Sequence, residues 1–260
     1  MKIRLLVLLV VLLYTAAPAQ RIITVDRCTN QWSYGNGETL DYIIKYSFIT
    51  GGRATLTVRD TIVDNQTVHH VVGQARTSGM ADVFYKVRDV YESYIDHDTQ
   101  LPLKAVRNIS EGRYKSYDEI IYDRDSNVVR TLKRGTVEVP EGILDIVSAF
   151  YHARNNAFDD DLQVGDTILY TTYFANHIYP LRITYRGRET VKTKLGKIDC
   201  YRFAPVTEVG RAFESDDDMH VWISTDKNHA PVKIQFDLKV GSFICELSSC
   251  SGLKYPLQKS

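Results

Sequence analysis

Pro140-Glu141-Gly142-Ile143-Leu144-Asp145-Ile146-Val147-Ser148-Ala149-Phe150-Tyr151-His152-Ala153-Arg154 decides how this chain is read, because it is the longest segment with a clear helical period. Ile143, Ile146, Val147 and Phe150 recur at three- and four-residue spacing, and Ala149 and Ala153 allow close approach of a neighbour. Leu144 and Tyr151 widen the apolar face nearly all round, as expected of a helix buried on most sides. The spacing predicts a helix over about 143–154, entered through Pro140-Glu141-Gly142. Almost everything around it reads as strands.

Upstream, Tyr42, Ile44, Tyr46 and Phe48 alternate with Ile43, Lys45 and Ser47, and Thr50-Gly51-Gly52 is expected to turn this strand back into Ala54 to Val58. Arg21 to Tyr34 reads as polar and irregular. Further strands are expected at Thr67 to Ala75, Asp89 to Ile95, Leu103 to Ser110, Arg113 to Asp123 and Val128 to Lys133. Between the first two, Met80, Val83, Phe84 and Val87 share one face of a short helix. Downstream, seven strands are expected between Thr167 and Leu247, with Leu195-Gly196 as a tight turn. Short strands with frequent turns indicate one antiparallel sheet that curls into an open barrel or clam around the helix. Long parallel crossovers are missing, which argues against a doubly wound nucleotide-binding fold.

One internal echo spans the helix. Tyr94-Ile95-Asp96-His97-Asp98-Thr99-Gln100-Leu101-Pro102-Leu103-Lys104 resembles Trp222-Ile223-Ser224-Thr225-Asp226-Lys227-Asn228-His229-Ala230-Pro231-Val232-Lys233 with one gap. In each, an aromatic strand end meets an Asp-containing turn, and proline, which needs no ladder donor, opens the return. Either two ordinary hairpins share turn chemistry, or two similar half-sheets flank the helix.

The first residues carry an address. Lys2 and Arg4 precede an unbroken apolar run from Leu5 to Leu13, and Ala17-Pro18-Ala19 fits a cleavage site before Gln20. The run is too short to span a bilayer. Residues 1–19 are therefore expected to be a signal peptide and 20–260 a single β-rich domain, exported to the periplasm or secreted and not integral to a membrane. Removing Lys2 and Arg4 leaves 30 basic against 32 acidic residues, a net charge of about −2. No basic stripe remains, and nucleic-acid binding has no electrostatic support. Cys28, Cys200, Cys245 and Cys250 lack redox or zinc spacing and read as structural thiols or as up to two bridges, with three connectivities open.

Catalytic and metal motifs are not apparent. His69 and His70 are adjacent, so on a strand they point to opposite faces, and no H-E-x-x-H occurs among the seven histidines. Asp159-Asp160-Asp161 and Asp216-Asp217-Asp218 lack the loop of an EF-hand. Neither Gly35-Asn36-Gly37 nor Gly51-Gly52 is a phosphate loop; both read as turns. Asp145, Ser148 and His152 form one polar stripe on the helix, and a hydrolase would require the last two to reach solvent. The residues thus predict no catalytic residue, no metal and no cofactor. Among 17 tyrosines, Tyr42, Tyr46, Tyr85, Tyr91, Tyr94, Tyr114, Tyr117 and Tyr122 are expected to gather largely on one face of the first strands.

Six stretches, Asn36 to Tyr42, Val87 to Asp96, Ser110 to Tyr114, Leu144 to Tyr151, Gly187 to Glu189 and Val221 to Asp226, together resemble the bacterial exported family known as domain of unknown function 3108. The resemblance covers nearly all of the mature chain; the family has no agreed activity, so no catalytic residue carries across. The hairpin that closes on proline is also similar to hairpins in the periplasmic lipoprotein carriers and receptors of the Lol pathway, half-open β-barrels closed by helices around an apolar cavity. The expected function is a non-catalytic envelope protein that binds a hydrophobic or amphipathic ligand, a lipid or lipidated protein, or docks on an envelope partner. The alternatives are a structural or assembly factor with no small-molecule ligand, and an uncharacterised hydrolase.

Overall fold

Alternation at a period of two runs through most of the chain, and in the computed structural model it produces fifteen strands and two helices among the described residues, 21–24, 32–156, 161–206, 218–238 and 241–260. The expected signal segment, Cys28 and the pairs Asp159-Asp160 and Asp216-Asp217 lie outside them. The strands before the long helix are β1 (Ile22–Thr24), β2 (Thr39–Tyr46), β3 (Ile49–Val63), β4 (Gln66–Thr77), β5 (Arg88–Asp96), β6 (Pro102–Glu111), β7 (Tyr114–Asp123), β8 (Val128–Thr131) and β9 (Gly135–Glu138). Helix α1 (Met80–Phe84) joins β4 to β5, and helix α2 (Ile146–Asn156) follows β9. Then come β10 (Thr167–Phe174), β11 (His177–Thr193), β12 (Gly196–Pro205), β13 (Met219–Ser224), β14 (Pro231–Asp237) and β15 (Ser242–Ser251).

All fifteen strands join one sheet in the order β1-β10-β11-β12-β13-β14-β15-β2-β3-β4-β5-β6-β7-β8-β9. Every pairing is antiparallel except β1 with β10. The sheet stays open, with β1 and β9 as its edges. Register shifts at Ile44/Lys45, Tyr94/Ile95, Tyr185/Gly187, Trp222/Ile223 and Leu247/Ser249 add local twist and help the sheet curl.

Helix α2 lies against the inner face and touches both halves. Ala149 and Ala153 pack with Ile168, Leu181, Tyr185, Phe203 and Ile223, while Tyr151 packs with Tyr34, Val58, Val71 and Ile95. The helix begins three residues later than its apolar period suggests. Leu144 forms a bridge to Thr172 and Ile143 packs with Tyr122 and Tyr173, so both apolar residues belong to the chain entering the helix. Asp145 is the cap: its Oδ1 accepts the N–H groups of Val147 and Ser148 at 2.8 and 3.0 Å.

Other expectations are corrected. The first hairpin turns at Ser47 and Phe48, where Ser47 has φ 52°, and Gly51-Gly52 lies inside β3. A Cβ on Gly52 would stand 2.6 Å from the Arg76 carbonyl oxygen, so glycine is set by strand approach there. β1 falls in the stretch expected to be irregular, β9 is a strand the sequence reading does not include, and β3 and β11 run 15 and 17 residues because bulged or glycine-containing stretches continue the ladder. The eight tyrosines do not gather on one face: Tyr42 and Tyr122 are buried, whereas Tyr46, Tyr85, Tyr114 and Tyr117 are exposed.

The echoed hairpins are built alike. β5–β6 and β13–β14 each carry a register shift just after the aromatic residue, pairing Ile95 with Pro102 and Ile223 with Pro231. Gln100 and His229, each two residues before proline, both have positive φ, 59° and 42°. Lys104 lies over the Tyr94 ring and Lys233 over the Trp222 ring. The two turns hold the end of α2 together: Asn155 and Asn156 donate to Gln100 Oε1, and Arg154 donates to the Asn228 carbonyl.

Candidate functional site

The polar stripe on α2 is turned inward and used structurally. Besides capping the helix, Asp145 accepts from Ser93 Oγ at 2.7 Å, and Ser148 Oγ accepts the Asp145 N–H at 2.9 Å. Burial raises the Asp145 pKa, and these hydrogen bonds oppose the rise. His152 is buried 3.5 Å from the Tyr170 hydroxyl, and burial pushes its pKa down to about 4. Ser148 is fully enclosed as well, so the two residues of the hydrolase reading do not meet its stated requirement of reaching solvent.

Little space separates α2 from the sheet. Among the described residues, a recess of about 50 Å³ opens beside Phe150, Ala153, Ile168, Ile183, Phe203 and Ile223, and another of about 30 Å³ beside Ile146, Val147, Ala105, Ile120 and Tyr173, each room for about one or two water molecules.

The unusual surface lies at one end of the sheet, around α1. Its apolar residues face out: Val83 is 77% and Phe84 80% exposed, with Met80 alongside. The local chemistry explains the inversion. Asp82, on the polar side, accepts from Thr77 Oγ1 at 2.7 Å and takes a two-pronged bond from Arg88 at 2.7 and 3.0 Å, so the polar side anchors the helix to the sheet. The Arg88 hydrogen bond, followed by that from Thr77, holds the Asp82 carboxyl down to about 2. Ser78 N–H donates to the Gly51 carbonyl, and the Gly51 backbone approaches Ala81, which sets α1 beside the β2–β3 turn. That turn presents Phe48, 88% exposed, and Ile49. Tyr85 lies against Gly112 in the β6–β7 turn, and Tyr46 against Phe243.

Cations border this apolar rim. Arg53 and Arg76 are directly opposite cross-strand partners, and Arg76 faces Arg88 in turn. Like charges in such a row repel and cost stability. Arg53, Arg76 and Arg88 line an open groove of about 610 Å³, and Lys86 and Arg113 are exposed nearby. The acidic groups here are Asp41, which accepts from Thr55 and Ser249, Asp82, held by Arg88, and Asp89 with Glu111.

At the opposite end of β3 and β4, Asp60, His69 and His97 converge. His70 points to the other face, as its position beside His69 requires, and stacks on Tyr94 while meeting Glu92 at 2.7 Å. Cys200, Cys245 and Cys250 are unbridged. Burial pushes the Cys200 and Cys245 thiols up to about 12, which makes them poor nucleophiles. No helix among the described residues is long and apolar enough to cross a membrane.

These features define a mainly β protein whose one open, curled sheet is packed around a helix. The family model described as "Protein of unknown function (DUF3108)" matches residues 41–248, and the chain belongs to that family. Its fold is similar to the crystal structure of a β-barrel-like protein of domain of unknown function DUF1849 from Brucella abortus, with TM-score 0.54 and 9% identity over 84% of this chain and 98% of that one. A DUF1089 family protein from Pseudomonas aeruginosa matches more loosely, with TM-score 0.37 and 12% identity over 69% of this chain and 87% of that one. No curated protein matches the sequence.

Proposed function

We propose that this is an exported, non-catalytic envelope protein that docks on an anionic lipid surface through the α1 end of its sheet. The observation that carries the reading is the short helix whose apolar side chains face solvent while its aspartate is tied inward. An apolar rim beside exposed arginine and lysine matches the chemistry of an anionic bilayer interface: aromatic and aliphatic groups enter the headgroup boundary and cations meet phosphate. The amino-terminal signal pattern supports an envelope address. The narrow recess beside α2 favours a docking or assembly role over a carrier that encloses a lipid chain.

Flotation of the mature chain with vesicles tests this. Vesicles containing phosphatidylglycerol should carry the protein upward, pure phosphatidylcholine should carry much less, and added salt should weaken the difference. Replacing Val83 and Phe84 together by glutamate, both exposed and therefore compatible with folding, should abolish flotation. Failure of the unaltered chain to float, or equal flotation of the altered one, overturns the reading.

A further inference from the structure

Three neighbouring strands bring a metal-ligand set to one point on the inner face, at the end of the sheet away from α1. Asp60 on β3 and His69 on β4 are direct cross-strand partners. His69 pairs in turn with Ile95 on β5, and His97 is the next residue to project on the side of Ile95. Asp60 Oδ1 stands 2.7 Å from His69 Nδ1, His69 Nδ1 stands 3.0 Å from His97 Nε2, and His97 Nε2 stands 3.5 Å from Asp60 Oδ1. The surroundings fix the group. Asn36 Oδ1 accepts the Asp60 N–H, the His97 N–H donates to the Thr67 carbonyl, and the Trp32 ring packs edge-on against His69 with centroids 4.6 Å apart.

The triangle is awkward for hydrogen bonds alone. His69 Nδ1 has one in-plane direction and can carry at most one proton, yet it faces both an oxygen and a nitrogen at bonding distance. A cation at the centre would serve all three lone pairs. In a tetrahedral zinc site with bonds of about 2.0–2.1 Å, ligand atoms stand about 3.3 Å apart; the edges here are 2.7, 3.0 and 3.5 Å, so an ion would need the His69–Asp60 edge to open by about 0.6 Å.

We propose that Asp60, His69 and His97 bind one divalent cation of the zinc class. Two imidazoles and one carboxylate suit zinc and its first-row neighbours, whereas magnesium and calcium favour all-oxygen sets. Three protein ligands leave a fourth position open to water or to an outside ligand. His69 is buried while Asp60 and His97 are partly exposed, so the set is anchored on the inside and open to an ion from outside. This inference does not depend on the lipid-docking reading.

Calorimetric titration of the mature chain with Zn²⁺ alone, and Co²⁺ absorption as a second readout, tests it. One equivalent should bind, with a visible Co²⁺ band typical of a tetrahedral site, and Mg²⁺ should not compete. His97→Ala and Asp60→Asn alter partly exposed side chains and should weaken binding on the order of tenfold or more while leaving the circular dichroism spectrum unchanged. Absence of stoichiometric zinc binding overturns the proposal. So does undiminished binding in both variants, which would assign the metal to other histidines or to the cysteines.

Discussion

His152 shows how a single residue ties stability to pH. Its ring is enclosed with the Tyr170 hydroxyl 3.5 Å away, and its pKa is lowered to about 4 by burial. Above the unfolded value of about 6.5, both states hold a neutral ring and the group has no pH effect. As pH falls from about 6.5 towards 4, the unfolded chain takes up a proton that the folded chain resists, so stability is lost across that window. The loss attributable to this group is on the order of 3 kcal/mol. Urea midpoints measured from pH 7.5 to 4 should fall, and His152→Gln should flatten the part of the slope that His152 causes; parallel slopes would refute the assignment. The sequence placed His152 on α2 but paired it with Ser148 by i, i+4 spacing. In the structure Ser148 serves the cap, which outcompetes that contact because the first helical N–H groups must be satisfied once buried. The His69–His97 pair had no signal at all, because 28 residues and a cross-strand register separate the two rings.

At the scale of the element, α2 is pinned at its end by a wholly buried ion pair. Arg154 donates to both oxygens of Glu38 at 2.7 and 2.9 Å, and both side chains are 0% exposed. Burial opposes the guanidinium charge, but Glu38 more than offsets it and the pKa stays above the ordinary value. The Tyr34 and Tyr151 rings lie against the guanidinium. Removing one charge leaves the other stranded: Glu38→Gln should cost about 3–5 kcal/mol, while Glu38→Met combined with Arg154→Met should cost much less. Urea unfolding of the three proteins decides it, and equal losses for the single and double changes would contradict the account. The helix was legible from Ile146, Val147 and Phe150, but its start was not, because Ile143 and Leu144 continue an apolar period while bonding as strand. α1 was legible as an element and illegible in orientation. Met80, Val83 and Phe84 give the same period whether the apolar face is turned in or out, and the bonds of Asp82 to Arg88 and Thr77, made in three dimensions, decide between them.

For the whole molecule, the proline-closed echo proved to be architecture. Two hairpins with a bulge at the same place, a positive-φ residue two places before proline and a lysine over an aromatic ring stand in opposite halves of one sheet, and both reach the end of α2. The two ends of the sheet differ in chemistry, with the apolar rim at α1 and the Asp60, His69 and His97 set at the other. The carboxyl-terminal segment closes part of the outer face: Leu257 covers Ile198, Trp222 and Val232, and the Gln258 N–H donates to Asp226. The exposed apolar rim at α1 is thus the surface on which the functional account rests. An environment-sensitive fluorophore placed at Val83→Cys, in a chain carrying Cys28→Ser and Cys250→Ser, measures its contact with lipid directly. Ile62, 71% exposed on β3 at the opposite end, provides the matched control as Ile62→Cys. On adding anionic vesicles, the label at 83 should shift to the blue and the label at 62 should stay in water; an unmoved label at 83, or equal shifts at both, would contradict the account.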